Sequence, residues 1–177
     1  AIHNFCVIDM SNFYLDILKD RLYCEAVDSV SRRAAQTTIY RILSAISRLI
    51  APIMSFTADE IWSYLPHSSD ENSESIFLND MPKKSGIVVS DEFKAKWDLI
   101  SAIREDAKKA LELKRAEKVI GASLEADLHI YVDDDKFNAI SDLAEELPAL
   151  LIVSRAEVYK DSSNGEYKGE LEGVSFT

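Results

Sequence analysis

Between Ser29 and Pro66 the apolar positions Ile39, Ile42, Leu43, Ile46, Leu49, Ile50 and Ile53 recur at three- and four-residue steps, as they do on one buried face of a helix. Only Arg41 and Arg48 are charged between Thr37 and Ala51, so this hub helix is expected to have neighbours on more than one side. Pro52 lacks the backbone donor and collides with the preceding turn, which ends the helix near Ile50. A second helix is expected at once. Thr57 and Glu60 have the spacing of a capping box, and Phe56 and Ile61 that of a hydrophobic staple. This corner helix presents Ile61, Trp62 and Leu65 to the first and stops at Pro66.

Upstream, Ile2, Phe5 and Cys6 place the end of a helix over Ile2 to Asp9, and Ser11 reads as a cap or bend. Tyr14, Leu15, Leu18 and Leu22 then form a helical stripe. Three helices with short connections favour antiparallel neighbours. The stretch His67–Ser75 is polar and acidic, a surface loop in which His67 is placed in solvent. Ser75 to Met81 has the character of a short strand or strap, and Pro82 to Ser90 that of a basic loop with Lys83, Lys84 and Gly86. The longest helix is expected from Asp91 to Lys118, with acids at its start and Lys114, Arg115 and Lys118 at its end, as the helix dipole favours. Phe93, Trp97 and Ile100 bury its first half, and Ile103, Ala107 and Ala110 dock its second.

The period then changes. Leu124, Ala126, Leu128, Ile130 and Val132 alternate with polar residues, the pattern of a half-buried strand. Asp133 to Asp135 cap a helix carrying Phe137, Ile140 and Leu147, closed by Pro148. Ala149 to Tyr159 is strand-like, Asn164-Gly165 signals a hairpin turn, and Leu171, Val174 and Phe176 suggest a returning strand. The expected fold is mainly α: an antiparallel helical bundle over residues 1–118, followed by a small α/β appendage of βαββ order over 122–177.

Composition changes this picture in two ways. The 177 residues are 47% hydrophobic, enough for a real core, yet no apolar run approaches the roughly 20 residues needed to span a bilayer. There is no signal-peptide pattern, and two isolated cysteines, Cys6 and Cys24, read as reduced thiols of a cytoplasmic protein. A start at Ala1-Ile2-His3 suggests a piece of something longer. The net charge of −11 is unevenly spread: residues 1–120 hold 16 basic and 18 acidic side chains, residues 121–177 hold 4 and 13, and residues 81–120 hold 10 and 7. A polyanion is therefore excluded from the last third but not from the surface of the long helix.

No catalytic constellation is present. His3, His67 and His129 stand far apart with no nucleophile motif, phosphate loop or metal spacing, so no catalytic residue and no metal is assigned. Asp133-Asp134-Asp135 lacks the glycine and distal glutamate of a calcium loop, and capping is its plainer role. At 100° per residue the apolar line of the long helix continues as Arg104, Lys108, Leu111, Arg115 and Lys118, with Lys109 and Lys114 beside it. This basic stripe is the best candidate for binding phosphates. The plain alternative is a solvated face, because Glu105, Asp106, Glu112 and Glu117 are spaced to pair with it. Arg32-Arg33 at the start of the hub helix is a second candidate, opposed by the helix dipole and so in need of a partner.

Several blocks, in order, resemble one family. They are His3-Asn4-Phe5-Cys6, Ser11 through Asp16, Lys19-Asp20-Arg21-Leu22-Tyr23, Arg32 through Gln36, Leu49-Ile50-Ala51-Pro52-Ile53 and Phe56 through Trp62. Together they are similar to the anticodon-binding region of class I aminoacyl-tRNA synthetases. Ala110-Leu111-Glu112, Arg115, Lys118 and Ile120 through Ala126 resemble the helix–turn–strand junction of the bacterial isoleucine type. The resemblance implies a non-catalytic part of an ATP-dependent ligase that holds the anticodon arm of isoleucine-accepting tRNA. It implies Arg104, Lys108, Lys109, Arg115, Lys118, Arg32 and Arg33 as the tRNA-binding set, with the catalytic and editing domains of a parent chain as partners. ATP and magnesium would belong to that parent. The cysteine-rich zinc module of such enzymes is missing here, so no cofactor is assigned. Two alternatives stand beside this: the equivalent region of a valyl- or leucyl-tRNA synthetase, and a helical protein–protein scaffold whose acidic appendage docks a basic partner.

Overall fold

The hub helix runs Val30–Ile50 in the computed structural model, which describes residues 1–177. Ser29 caps it, its Oγ accepting from the Arg32 N–H at 3.3 Å. At the other end Ile53 and Met54 donate to the Ile50 carbonyl at 2.9 and 2.8 Å, and this turn around Pro52 delivers the chain already coiled. The corner helix consequently starts at Ser55 and runs to Tyr64, and its first bond joins the Ala58 N–H to the Met54 carbonyl at 2.9 Å. Thr57 is thus an interior helical residue, not a cap. Phe56 is 93% exposed, so the expected capping box and staple do not form.

Trp62 is buried with Ala51, Ala58 and Ile76, and Ile50 and Leu65 pack around them. The Trp62 indole N–H donates to the Asn72 carbonyl at 2.9 Å, and Asp59 accepts from the Ser75 hydroxyl and the Ile76 N–H at 2.8 and 2.9 Å. These bonds hold residues 71–79 as a strap, with a single 3₁₀ turn at Ile76–Leu78. His67, expected in solvent, is half-buried with its ring centroid 4.7 Å from that of Trp62. It follows Pro66, which turns the chain back over the indole.

The N-terminal residues form a continuous helical run from Ile2 to Ile17, wound as a wide π-helix over Phe5–Tyr14. Ser11 lies inside this run, neither cap nor bend. After Leu18, which is buried, a short helix spans Lys19–Tyr23. Ile2 and Phe5 face Ile42, Ala45, Ile46 and Leu49 across an apolar groove of about 330 Å³. That groove is why the hub stripe is only partly covered. The buried positions of the hub helix are the small Ala35, Ser44 and Ser47, whereas Leu49 and Ile53 are exposed.

The long helix spans Asp91–Ala116, with Ser90 Oγ accepting from the Phe93 N–H at 3.2 Å. Ile100, Ile103, Ala107, Ala110 and Leu111 are buried, and Phe93 is exposed. The strands β1 (Asp127–Val132), β2 (Arg155–Lys160), β3 (Tyr167–Lys168) and β4 (Val174–Phe176) form one mixed sheet in the order β2-β1-β4-β3. β1 pairs with β2 in parallel, and β4 runs antiparallel to both of its neighbours. Leu128, Ile130 and Val132 are buried together with Ala156, Val174 and Phe176.

Three details of this region differ from the sequence expectation. Ser123–Glu125 is a 3₁₀ turn, so Leu124 is exposed and the strand starts at Asp127. Pro148 opens a helix, Leu147–Leu151, where its missing N–H is harmless, instead of closing the helix Asp134–Ile140. The only tight hairpin joins β3 to β4 through residues 169–173. Asn164-Gly165 lies in the longer link from β2 to β3, which do not pair.

The chain divides into two compact units, Ala1–Gly86 and Ile87–Thr177. The long helix is bound into the second unit by its own polar groups. Buried Asp106 accepts from the Leu171 N–H at 2.8 Å, and Arg104 Nε donates to the Leu150 carbonyl at 3.2 Å. A Cβ on Gly169 would stand 2.3 Å from Asp106 Oδ2, so the hairpin can approach the helix only with glycine there. Each unit is mainly helical or mixed as described; no helix is long and apolar enough to cross a membrane.

Candidate nucleic-acid interface

The basic residues of the long helix separate into three situations. Arg104 is turned inward: its side chain is 11% exposed, donates to Leu150 and lies 3.6 Å from Glu105. This corrects its place in the stripe. The 100° line passes from apolar to basic at Arg104, but helix Leu147–Leu151 still covers the face there, and the guanidinium satisfies a carbonyl of that helix. Leu111, on the same line, is buried as well.

Lys108, Lys109, Lys114 and Arg115 reach solvent but carry acidic company. Lys108 Nζ lies 2.7 Å from Glu105, and Lys109 Nζ lies 2.8 Å from Glu170 and 3.4 Å from Asp106. Lys114 Nζ is 3.3 Å from Glu166 and 3.6 Å from Glu117. Arg115 pairs with Glu112 and donates to Ser123 Oγ at 3.0 Å. The hydrogen bond that Lys109 donates to Glu170 holds its ammonium above the ordinary pKa, and the one that Lys114 donates to Glu166 does the same for Lys114. Exposed pairs of this kind are screened by solvent and hold weakly, so an incoming phosphate can replace the carboxylate at little cost.

Lys118 ends the helical segment in the left-handed region at φ 61° and is exposed. That conformation, unusual for a lysine, turns the chain out of the helix toward Gly121, whose N–H donates to Glu125 at 2.7 Å.

In the first unit, Arg32 and Arg33 are not equivalent. Arg32 Nη1 donates to the Glu25 carbonyl at 2.8 Å and its Nε is buried, so the partner demanded by the helix dipole is internal. Arg33 is exposed. Arg41, two turns on, is exposed too. It stands outside the candidate set, although Arg33, Thr37 and Arg41 at four-residue steps share one ridge of the helix; that spacing is the signal by which it can be found. Lys83 and Lys84 are exposed in the coil before the second unit. Arg48 is spent internally: it binds Ser44 Oγ at 2.6 Å and Glu71 at 3.0 Å, with its guanidinium 5.4 Å from the Trp62 ring centroid. Cys6 and Cys24 are free thiols, and no group of three or more His, Cys, Asp or Glu side chains is gathered as a metal site.

Residues 1–130 match the family model described as the anticodon-binding domain of tRNA ligase. The chain belongs to that family. Three relatives are isoleucine–tRNA ligases. The isoleucine–tRNA ligase of Natranaerobius thermophilus is 43% identical over 159 residues, which is 90% of this chain and 17% of that protein. That of Bacillus mycoides is 45% identical over 154 residues, 87% of this chain and 16% of the relative. That of Syntrophotalea carbinolica is 44% identical over 166 residues, 93% and 18% respectively. The chain thus spans less than a fifth of the length of these relatives. The anticodon-binding match takes in the hub, the corner helix, the whole long helix and the first residues of β1, and so includes every exposed cation named above.

Proposed function

We propose that this chain is the tRNA-holding, non-catalytic part of an isoleucine–tRNA ligase, and that it grips the anticodon arm of isoleucine-accepting tRNA. The observation that supports this most is the 43–45% identity to ligases of that name over about nine-tenths of the chain, together with the anticodon-binding match over residues 1–130. On this reading the helices of residues 2–64 run as an antiparallel bundle, a natural consequence of their short connections. Lys108, Lys109, Arg115 and Lys118 on the long helix, and Arg33 on the hub helix, contact phosphates. Phosphate contacts set position, while unpaired loop bases offer their edges for readout. ATP, magnesium, and the catalytic and editing domains belong to the longer parent protein, a cytoplasmic enzyme, and this part holds no metal.

Each phosphate neutralised by a cation contributes about 0.7–0.9 to the salt slope of log K. Replacing Lys108 and Lys118 together by glutamine is expected to lower that slope by about 1.4–1.8 and to weaken binding at low salt, with the fold unchanged by circular dichroism. The measurement is fluorescence anisotropy with labelled isoleucine-accepting tRNA over a salt series. No binding by the unmodified chain at low salt, or an unchanged slope in a folded double variant, would refute the assignment.

A further inference from the structure

A second surface of the same unit has chemistry that RNA does not fit. The last turns of the long helix, β1 and the β3–β4 hairpin enclose a cavity of about 420 Å³. Its floor is Ala110, Leu111, Leu128 and Phe176, all buried, and its lip includes Leu113 and Val119, exposed by 50% and 66%. Around it stand four carboxylates, Glu117, Glu125, Asp127 and Glu166, against one cation in the lining, Lys114, while Asp127 also lies 3.7 Å from Arg155. That lysine is already shared between Glu117 and Glu166. The unit as a whole carries 20 acidic and 12 basic side chains, net −8.

We infer that this cavity is a docking site for a basic segment of a separate protein, which inserts an apolar side chain while its lysines or arginines meet the carboxylate rim. Charge decides the occupant. A nucleic acid would bring phosphates against four carboxylates. A second copy of this chain would bring a net charge of −11, and like charges brought together disfavour association. Two exposed aliphatic side chains on the lip of an apolar hollow are the usual anchor point of an amphipathic helix or strand. The carboxylates would act mainly in steering and register, the hollow in retention. The inference does not depend on tRNA binding, which uses other residues.

The test is a heteronuclear NMR titration of the 177-residue chain with a 14-residue model helix of leucine and lysine. The same helix with glutamate for lysine and a short oligouridylate serve as comparisons. The basic peptide is expected to shift the amides of Leu113, Val119, Leu128 and Phe176 saturably, and the other two probes to leave them in place. Val119→Asp, at an exposed position that the fold does not need, should weaken the complex at least about tenfold. Glu117→Lys should weaken it several-fold. Asp98→Lys makes the same charge change about 28 Å away along the helix axis and should leave the affinity unchanged. The inference is overturned if oligouridylate produces the same shifts, if Val119→Asp binds as well as the unmodified chain, or if Asp98→Lys weakens binding as much as Glu117→Lys.

Discussion

Replacing Arg104 by methionine keeps the stem that packs in the interior but removes the donor to the Leu150 carbonyl. A buried acceptor left unpaired costs about 1–3 kcal/mol, so Arg104→Met is expected to lower unfolding stability in urea by that amount. It should leave the salt dependence of tRNA binding alone. Lys108→Met, at a solvated position, should do the reverse, within about 0.5 kcal/mol of wild-type stability. Equal destabilisation by both would contradict the division between inward and outward cations. The cap seen in the structure and the one suggested by the sequence can be told apart in the same way. Ser29 accepts from the Arg32 N–H, and Ser29→Ala should cost about 1 kcal/mol. Thr57 is exposed inside its helix, where alanine is the better helix former, so Thr57→Ala should be neutral or stabilising by a few tenths of a kcal/mol. A loss of 1 kcal/mol at Thr57 would restore the capping box that the sequence suggests.

At the scale of elements, the strap over Trp62 is the part that acid should release first. Glu71 accepts from the Tyr40 hydroxyl at 2.8 Å and the Ser68 N–H at 3.0 Å, and pairs with Arg48. Burial alone would push its carboxyl upward, but the bonds from Ser68 and Tyr40 and the charge of Arg48 outweigh it and hold the pKa below the ordinary value. A depressed carboxyl stabilises the fold fully above the unfolded value, about 4.3, and the stabilisation fades as pH falls through the folded pKa. Protection of the Trp62 indole proton against exchange should therefore be full at pH 6, and be lost only once the pH has fallen below the ordinary carboxyl value and through the depressed one of Glu71. Glu71→Gln should lower it at pH 6, and an unaffected protection factor there would mean the strap is held by other bonds. This network was not legible in the sequence, since residues 31 apart meet in it and no periodicity encodes such a meeting. The elements set by local rules were legible: the hub helix, its end at Pro52, the long helix with acids first and bases last, and the alternation of β1. The errors arose where two local signals competed. Pro148 fits both a stop and a start, and Asn164-Gly165 has hairpin chemistry in a link whose flanking strands do not pair. The stripe of the long helix was visible as a line, but its inward end depends on what covers it, and only tertiary packing decides that.

Over the whole molecule, a net charge of −11 repels a polyanion at long range, so any grip on tRNA has to come from local cations and to fade quickly with salt. The two units also differ in the reach of their bonds. In the first, the polar links that tie the strap to the helices join residues 10 to 32 apart. In the second, Asp106 waits for Leu171, 65 residues later, and β4 must slide between β1 and β3. Its three residues, Val174–Phe176, fill the middle of the sheet, with Phe176 buried. On a translating ribosome, residues 1–86 can fold as they emerge, whereas the sheet stays open along the inner edge of β1 until residue 176 has left the tunnel. Until then that edge offers unpaired backbone groups and an unfilled apolar seat to any neighbouring strand. A ribosome that stalls before adding Val174 therefore exposes a chain whose first unit can be complete while its second remains prone to aggregate.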